Sequence, residues 1–269
     1  LGKVPKDWDV TTNATPEQII GLFEKTVYEN KFGTVAVVFE NSLSELEPSA
    51  YGLKPSIVEV TPYRIEGKYT DNRHPDTILF SQNIEDDLKR RDFTVNAMAL
   101  DSKGHLIDMY GGQNDIKDKI IKTVGDAQCR FEEDALRMLR AIRFSVQLNF
   151  IVSHETFHAI NTNAHLLKSI SAERIRDEFV KIVNSPDPMM GVGLLEKSGL
   201  LQYLIPELQE GIGCEQGGAH IYDVFTHLVQ ACQHAADKGY PFHVKLAALF
   251  HDIGKPRTRR PGQKKEYTF

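Results

Sequence analysis

The clearest periodic pattern in the chain is a helical one that follows Ala135. Apolar residues recur at helical spacing at Met138, Leu139, Ile142 and Val146, which predicts one helix face packed on a core. The opposite face is polar. It carries a carboxylate and three guanidiniums, each three residues from the last, at Asp134, Arg137, Arg140 and Arg143. A row of this kind along one side of a helix is suited to gripping a polyanion.

The charged row has two interpretations. In the first, it is a solvated helix face with ion pairs from Glu133 and Asp134 to Arg137, each worth about 0.3–0.5 kcal/mol. In the second, it is part of a nucleotide site, because an acid and a base offered together can hydrogen-bond the edge of a nucleobase. An earlier cluster favours the second interpretation. It combines bidentate phosphate donors with a carboxylate and an amide, at Arg90, Arg91, Asp92 and Asn96.

Three short patterns near the start of the chain are typical of β-strands. Alternation from Asp7 to Val10 puts Asp7 and Asp9 on one face and turns Trp8 inward with Val10. A β-branched run over residues 34–39 predicts a buried strand. A further strand follows at residues 57–61, with Glu59 on the face opposite its two valines.

These strands contain a candidate metal site. Asp7 and Asp9 repel each other unless a cation lies between them, and hard oxygen ligands select Mg²⁺ or Mn²⁺. If the two strands are neighbours, Glu59 becomes a third carboxylate at the ion. The alternative is that all three acids are simply solvated.

Residues typical of helix N-termini mark the starts of two predicted helices. Thr15, Pro16 and Gln18 form a predicted cap and capping box, followed by an apolar set at Ile19, Ile20, Leu22 and Phe23. From residue 127 onward the chain reads as mostly helical. Ser171 is expected to cap a helix whose apolar stripe is Ile175, Phe179 and Ile182. Three charged residues of that helix are expected to be more exposed: Arg174, Arg176 and Glu178.

Composition narrows the function classes. The 269 residues can form two or three domains, and neither a membrane-spanning run nor a signal peptide is evident, which predicts a cytoplasmic protein. The three cysteines are far apart and form no Cys-x-x-Cys pair, which excludes a zinc ribbon. The net charge of −5 means that any nucleic-acid site must be a local basic patch.

Several motifs occur in the order found in tRNA nucleotidyltransferases, and the sequence resembles the bacterial-type (class II) CCA-adding enzymes and the related poly(A) polymerases. The motifs are Asp7-x-Asp9, Glu59-Val60-Thr61, Arg90-Arg91-Asp92-Phe93-Thr94-Val95-Asn96-Ala97, Asp108 with Gly111-Gly112, Glu133-Asp134-x-x-Arg137 and Glu173-Arg174-Ile175-Arg176-Asp177-Glu178. The resemblance covers nearly the whole chain. The family's Gly-Gly-x-x-Arg-Asp motif lies upstream of the Asp-x-Asp strand, so we expect this sequence to be part of a longer chain.

The resemblance implies an α+β fold. A nucleotidyltransferase head with a small β-sheet is expected over residues 1–124. An all-α neck with nucleotide-selecting and RNA-binding helices is expected over residues 125–205. The start of an HD-type helical body domain is expected over residues 206–269.

The resemblance also implies roles for individual residues. The catalytic carboxylates would be Asp7, Asp9 and Glu59, with Mg²⁺ or Mn²⁺ held by the two aspartates. Asp134 and Arg137 would read the base edge. The residues expected to hold the sugar and phosphates are Arg91, Asp92, Asn96, Arg140 and Arg143. The implied activity is addition of CMP and AMP to the acceptor end of tRNA from CTP and ATP.

Related activities remain open at this stage. They are addition of A alone, addition of CC alone and poly(A) synthesis. The polar segment over residues 64–75 resembles the flexible loop of family members that switch from CTP to ATP, which favours full CCA addition over CC addition.

A second candidate metal site lies near the end of the chain. His227, followed by His251-Asp252 after an apolar helix, resembles the HD phosphohydrolase site, in which imidazoles and carboxylates hold a divalent transition metal. The HD pattern needs a further downstream Asp, which would lie beyond residue 269. The alternatives are a structural HD fold with satisfied histidines and an HD phosphohydrolase whose head only binds nucleotide or RNA. His220 and His243 carry no specific signal.

Overall fold

The computed structural model describes residues 8–29, 33–39, 57–67, 76–217, 220–261 and 267–268. The described chain forms two units. The first unit contains Leu1–Thr70, Pro75–Arg91 and Ala97–Tyr110, and the second contains Asp71–His74, Asp92–Asn96 and Gly111–Phe269. Asp7, and residues 68–75 of the predicted loop, lie outside the described residues.

The first unit is built on short strands. Its elements are β1 (Asp9–Thr12), α1 (Pro16–Leu22), β2 (Thr26–Glu29), β3 (Thr34–Val38), β4 (Ile57–Pro62), β5 (Arg64–Glu66), β6 (Ile78–Phe80), α2 (Ile84–Lys89), β7 (Met98–Leu100) and β8 (Leu106–Asp108). Four strands form a sheet in the order β1-β4-β3-β2, in which β1 runs parallel to β4 and the other pairs are antiparallel. β5 and β6 form one hairpin, and β7 and β8 another.

The core of the first unit is small because one short helix covers the sheet. Ile19 of α1 packs with Val35, Val37 and Val60. The predicted cap of α1 is confirmed, since the Gln18 amide donates to Thr15 Oγ1 and the Thr15 amide donates to Gln18 Oε1.

One prediction about apolar residues of this unit is wrong. Trp8 and Val10 are 53% and 43% exposed, so the indole does not pack inward. β1 lies at the edge of the sheet, so among the described residues it has a neighbouring strand on one side only. In α1, only Ile19 and Pro16 are buried, because a seven-residue helix has about two turns and can place only a few side chains against the sheet. The other three residues of the apolar set at this helix are exposed: Ile20, Leu22 and Phe23.

The second unit is mainly helical. Its elements are α3 (Gly112–Asp118), β9 (Ile120–Ile121), α4 (Ala127–Glu133), α5 (Leu136–Leu148), β10 (Ile151–Val152), α6 (His154–Asn163), α7 (Ala172–Val183), α8 (Pro188–Lys197), α9 (Leu201–Leu204), α10 (Pro206–Gln209), α11 (Val224–Asp237), α12 (Phe242–Phe250), α13 (Lys255–Thr258), β11 (Arg260–Pro261) and β12 (Tyr267–Thr268). Short 3₁₀ helices occupy Thr94–Asn96 and Ala164–Ser169. The expected α+β class is therefore confirmed.

α5 lies at the centre of the second unit. The predicted stripe is confirmed, since Met138, Leu139 and Ile142 are fully buried and Val146 nearly so. α7 and α8 pack closely beside it, and a Cβ built on Gly191 would lie 2.5 Å from Ile182 Cγ2. A side chain at this position would therefore push the two helices apart.

Two predictions about charged positions need correction. Asp134 is not on the α5 face, because it has an extended conformation at the end of α4, before α5 begins at Leu136. Glu178, expected to be exposed, is only 4% exposed. Ser171 occupies the predicted N-cap position of α7, but its side chain makes no capping hydrogen bond.

No helix among the described residues combines the length and the apolar character needed to cross a bilayer.

Candidate functional site

Two carboxylates of the first unit come together because of strand pairing. β1 and β4 are parallel neighbours, and their register places Asp9 directly beside Glu59. Residues paired in this way project from the same face of a sheet. Both side chains are exposed, so their oxygens are available to a ligand. The predicted proximity of Glu59 to the Asp-x-Asp strand is thus found, and a pair of hard oxygen donors fits Mg²⁺ or Mn²⁺.

A buried acid organises the arginines at the end of α2. Asp87 is fully buried, and its carboxylate lies 2.6 Å from Arg90 Nη2 and 3.2 Å from Arg91 Nη2. Arg90 also reaches Glu66 at 3.2 Å. Arg91 Nε is buried and has no hydrogen-bond partner among the described residues. The role of Asp87 could not be predicted from the sequence, because it depends on burial of the carboxylate.

In the second unit, Asp92 holds two other predicted site residues. Its Oδ1 accepts hydrogen bonds from the Phe93 amide at 2.8 Å and from Asn96 Nδ2 at 3.2 Å. Its Oδ2 lies 2.8 Å from Arg140 Nε and 2.6 Å from Arg140 Nη2. Asp92 is 8% exposed, and its nearly buried carboxylate holds the Asn96 amide and the Arg140 guanidinium in place.

The two predicted base-reading residues are each held by a neighbour. Asp134 Oδ2 accepts from Arg174 Nη2 at 2.9 Å. Arg137 Nη1 donates to Glu133 Oε2 at 2.5 Å and to the Arg130 carbonyl at 3.1 Å. Glu133 in turn pairs with the Arg130 guanidinium. The Glu133–Arg137 pair of the solvated-face interpretation is present, but as part of a network that fixes the side chains.

Arg143 does not lie on an open face. It is 9% exposed, and its Nε is 3.0 Å from Glu178 Oε2, an ion pair whose N–H is not aimed as a hydrogen bond. Its guanidinium also lies 4.2 Å from the centre of the Phe144 ring, as in cation–π contacts. Burial lowers the pKa of Arg143, and Glu178 opposes that shift. The contact with Glu178 joins α5 to α7 through this residue, which the resemblance assigned to the sugar or phosphates.

Three predicted ligands of the second metal site cluster at α11 and α12. His227 Nε2 is 3.1 Å from His251 Nε2, and Asp252 Oδ2 lies 3.3 Å from His251 Nε2 and 3.7 Å from His227 Nε2. One ligand atom from each residue lies within 4.8 Å of the others. Lys255 donates to the same carboxylate at 2.7 Å.

The electrostatics of this cluster suit a metal. Burial, together with the neighbouring His251, lowers the pKa of His227, which favours the neutral imidazole that metals require. For Asp252, burial raises the pKa, but hydrogen bonding from Lys255 and the adjacent His251 outweigh it, so the net shift is downward. His220, which carried no sequence signal, packs edge-on against His227 with ring centroids 5.9 Å apart.

Two segments of the chain match sequence models of known protein families. Residues 1–122 match a sequence model described as "Poly A polymerase head domain". Residues 149–212 match a second, described as "Probable RNA and SrmB- binding site of polymerase A". The chain belongs to the tRNA nucleotidyltransferase and poly(A) polymerase family. The family expected from the motif order is therefore confirmed.

Individual members of the family are similar over most of this chain. A CCA-adding enzyme of Geobacillus thermodenitrificans (strain NG80-2) is 44% identical over 211 residues, which is 78% of this chain and 48% of the relative. A CCA-adding enzyme of Lactobacillus helveticus (strain DPC 4571) is 40% identical over 82% of this chain and 50% of the relative. The chain thus spans about half the length of the curated relatives it matches.

A solved structure of the family has the same fold. The Bacillus stearothermophilus CCA-adding enzyme in complex with CTP superposes with a TM-score of 0.67 at 32% identity, over 96% of this chain and 61% of that one. The chain therefore has the fold of this family, with a head built on a mixed sheet followed by a helical region.

Proposed function

We propose that the full-length protein is a template-independent nucleotidyltransferase that adds CMP and AMP to the 3′ end of tRNA from CTP and ATP. The observation that carries the proposal is the register of β1 and β4, which brings Asp9 beside Glu59 in the unit matched to the head-domain model. The similarity to CCA-adding enzymes supports the CCA product. As a tRNA-processing enzyme, it would act in the cytoplasm.

The carboxylates supply the catalytic centre of this proposal. Asp7, Asp9 and Glu59 would hold Mg²⁺ or Mn²⁺, which when bound activates the terminal RNA hydroxyl and offsets the charge on the phosphates. The reaction is an in-line displacement. The 3′-oxygen forms a bond to the α-phosphorus, and the bond to pyrophosphate breaks.

The second unit supplies nucleotide selection. Asp92, Asn96 and Arg140 would hold the sugar and phosphates in the arrangement that Asp92 fixes. Arg91 keeps the phosphate-binding role that the family resemblance implies. Asp134 and Arg137 would read the base. Arg143 is better explained as a buried brace, since Glu178 already occupies it.

The hydrogen-bond pattern of the bases explains why one site accepts both CTP and ATP. Cytosine and adenine each present an amino group beside a ring nitrogen, which a carboxylate and a guanidinium can meet with one acceptor and one donor. Uracil and guanine present the reverse pattern. A site built on hydrogen bonds rejects such analogues by factors of about 10⁴.

The domain boundaries of the proposal follow the motifs. Residues 1–124 would form the catalytic head and residues 125–205 the neck that carries RNA. Residues 206–269 would begin an HD-type body.

The test is nucleotide addition by the full-length protein to tRNA transcripts that lack CCA, end in C or end in CC. We expect two additions to the shortest transcript with CTP alone, and one addition to the CC transcript with ATP alone. Both nucleotides together should give three additions. Long tails from ATP would indicate a poly(A) polymerase. Extension of only the CC transcript would indicate an A-adding enzyme, and arrest after two additions a CC-adding enzyme.

The His227, His251 and Asp252 cluster supports a second candidate function. Two imidazoles and a carboxylate within 4.8 Å form a partial site for a divalent transition metal, as in metal-dependent HD phosphohydrolases. This activity would be independent of nucleotide addition. It requires a bound metal, and the metal content of the protein and of its His251→Ala variant tests that requirement.

A further inference from the structure

Both oxygens of Asp134 are engaged by the protein. Oδ1 accepts from the Leu136 amide at 3.0 Å, a local contact at the start of α5. Oδ2 accepts from Arg174, which lies 40 residues further along the chain on α7. The local contact holds only one end of the carboxylate. The orientation of the other end, including the direction of its remaining lone pairs, therefore depends on Arg174.

Arg174 is not an ordinary surface cation. Three quarters of its side chain is buried, and its Nη1 atom is buried without a hydrogen-bond partner among the described residues. A buried donor left unpaired is unfavourable. The protein therefore keeps a guanidinium here although it does not satisfy all of its donors, which argues that the Asp134 contact has a function beyond joining α7 to α5.

We propose that Arg174 is a specificity-determining positioning residue, which orients the Asp134 carboxylate so that it accepts from the amino group of cytosine or adenine. The inference rests on the proposed function and deepens it. Arg174 lies within the segment matched to the RNA-binding model. A helix of that segment thereby takes part in choosing the incoming nucleotide.

Orientation matters most for the nucleotides that must be rejected. A carboxylate held in place faces the carbonyl of uracil or guanine with no proton between them, and both groups stay unpaired. A carboxylate released on one side can rotate away and remove this conflict. Loss of Arg174 should therefore accelerate misincorporation relative to correct addition, and not merely slow every reaction.

The experiment measures kcat/KM for CTP and for UTP on tRNA lacking CCA, using the full-length protein. Arg174→Met keeps the apolar stem and removes the donors. We expect the CTP-to-UTP ratio to fall roughly 10- to 100-fold, as for other losses of positioning. Arg174→Lys, which keeps a charged donor, should recover part of the ratio. Arg137→Ala gives the benchmark for direct loss of a base-reading group.

Arg176→Met is the matched control, because Arg176 lies on the same helix with an exposed side chain paired to Asp177. It should leave the ratio unchanged. Arg174→Leu, which also removes the donors, replaces Arg174→Met if thermal melting shows that the latter is unfolded.

The outcomes separate this inference from the proposed function. A folded Arg174→Met or Arg174→Leu protein with the wild-type ratio and a lower kcat overturns the inference, since Arg174 is then only structural. Absence of CMP addition by the wild-type protein overturns the proposed function itself.

Discussion

Asp92 and Arg140 form a two-point ion pair between segments 48 residues apart, with Asp92 Oδ2 at 2.8 Å from Nε and 2.6 Å from Nη2 of Arg140. The other oxygen of Asp92 accepts from Asn96. One nearly buried acid thus sets the positions of a cation and an amide that we assign to the sugar and phosphates. These two side chains are thereby held in place without a bound nucleotide, as preorganisation of a binding site requires.

Asp92→Asn should weaken nucleotide binding without altering base choice. The variant keeps the size of the side chain but removes a charge-assisted interaction worth about 1.5–3 kcal/mol, and Arg140 loses its anchor. We expect KM for CTP and for ATP to rise together by roughly 10- to 100-fold, with the CTP-to-UTP ratio preserved. Steady-state kinetics with the exposed Asp118→Asn as control measures both quantities. A changed ratio at constant KM would assign Asp92 to base reading instead.

The Arg143 and Glu178 pair should behave as a structural brace. Arg143→Met leaves the buried Glu178 carboxylate with Lys181 at 3.2 Å but without the guanidinium beside its other oxygen. Loss of a partner from a buried pair lowers the free energy of unfolding by up to about 3–5 kcal/mol. The double variant Arg143→Met/Glu178→Leu should recover most of that loss, because two apolar groups can replace a buried pair.

Urea unfolding measures this free energy, and Arg176→Met serves again as the exposed control. If Arg143→Met left stability unchanged and raised KM for nucleotides, Arg143 would be the phosphate ligand that its motif position suggests.

Local sequence patterns predicted those parts of the fold that depend on local interactions. The capping box of α1 and the buried stripe of α5 are set by residues within one or two turns. The pairing of Asp9 with Glu59 needed only that two short strands be neighbours. Periodicity and capping gave enough information for the two helices, whereas the pairing of Asp9 with Glu59 was expected only on the condition that the strands are neighbours.

Partners that are distant in sequence could not be predicted in this way. Arg174 and Glu178 looked like exposed positions of α7, because helical spacing alone cannot identify what packs against a polar face. Their partners, Asp134 and Arg143, come from a helix end and a helix more than thirty residues earlier. Trp8 was wrongly expected to be buried. Alternation predicts which face of a strand a side chain occupies, but not whether another element covers that face.

The cluster at α11 and α12 should bind a transition metal independently of the head. After dialysis against Ni²⁺ and gel filtration, we expect the full-length protein to retain metal that is lost in His251→Ala, because that change removes one of three converging ligands. His243→Ala on the same helix, where the side chain is exposed, should retain it. Equal nickel content in all three proteins, measured by elemental analysis, would contradict the assignment. CMP addition should be unaffected by His251→Ala.

The most direct test of the catalytic account is CMP incorporation into tRNA lacking CCA by the full-length protein and its Asp9→Asn variant at saturating Mg²⁺. Replacing the carboxylate beside Glu59 should abolish incorporation, since the amide is a poor ligand for a hard divalent cation. The tRNA dissociation constant should stay within about twofold of wild type, because phosphate contacts elsewhere supply the affinity. Incorporation by Asp9→Asn at the wild-type rate would contradict the assignment of the catalytic centre to this pair of strands.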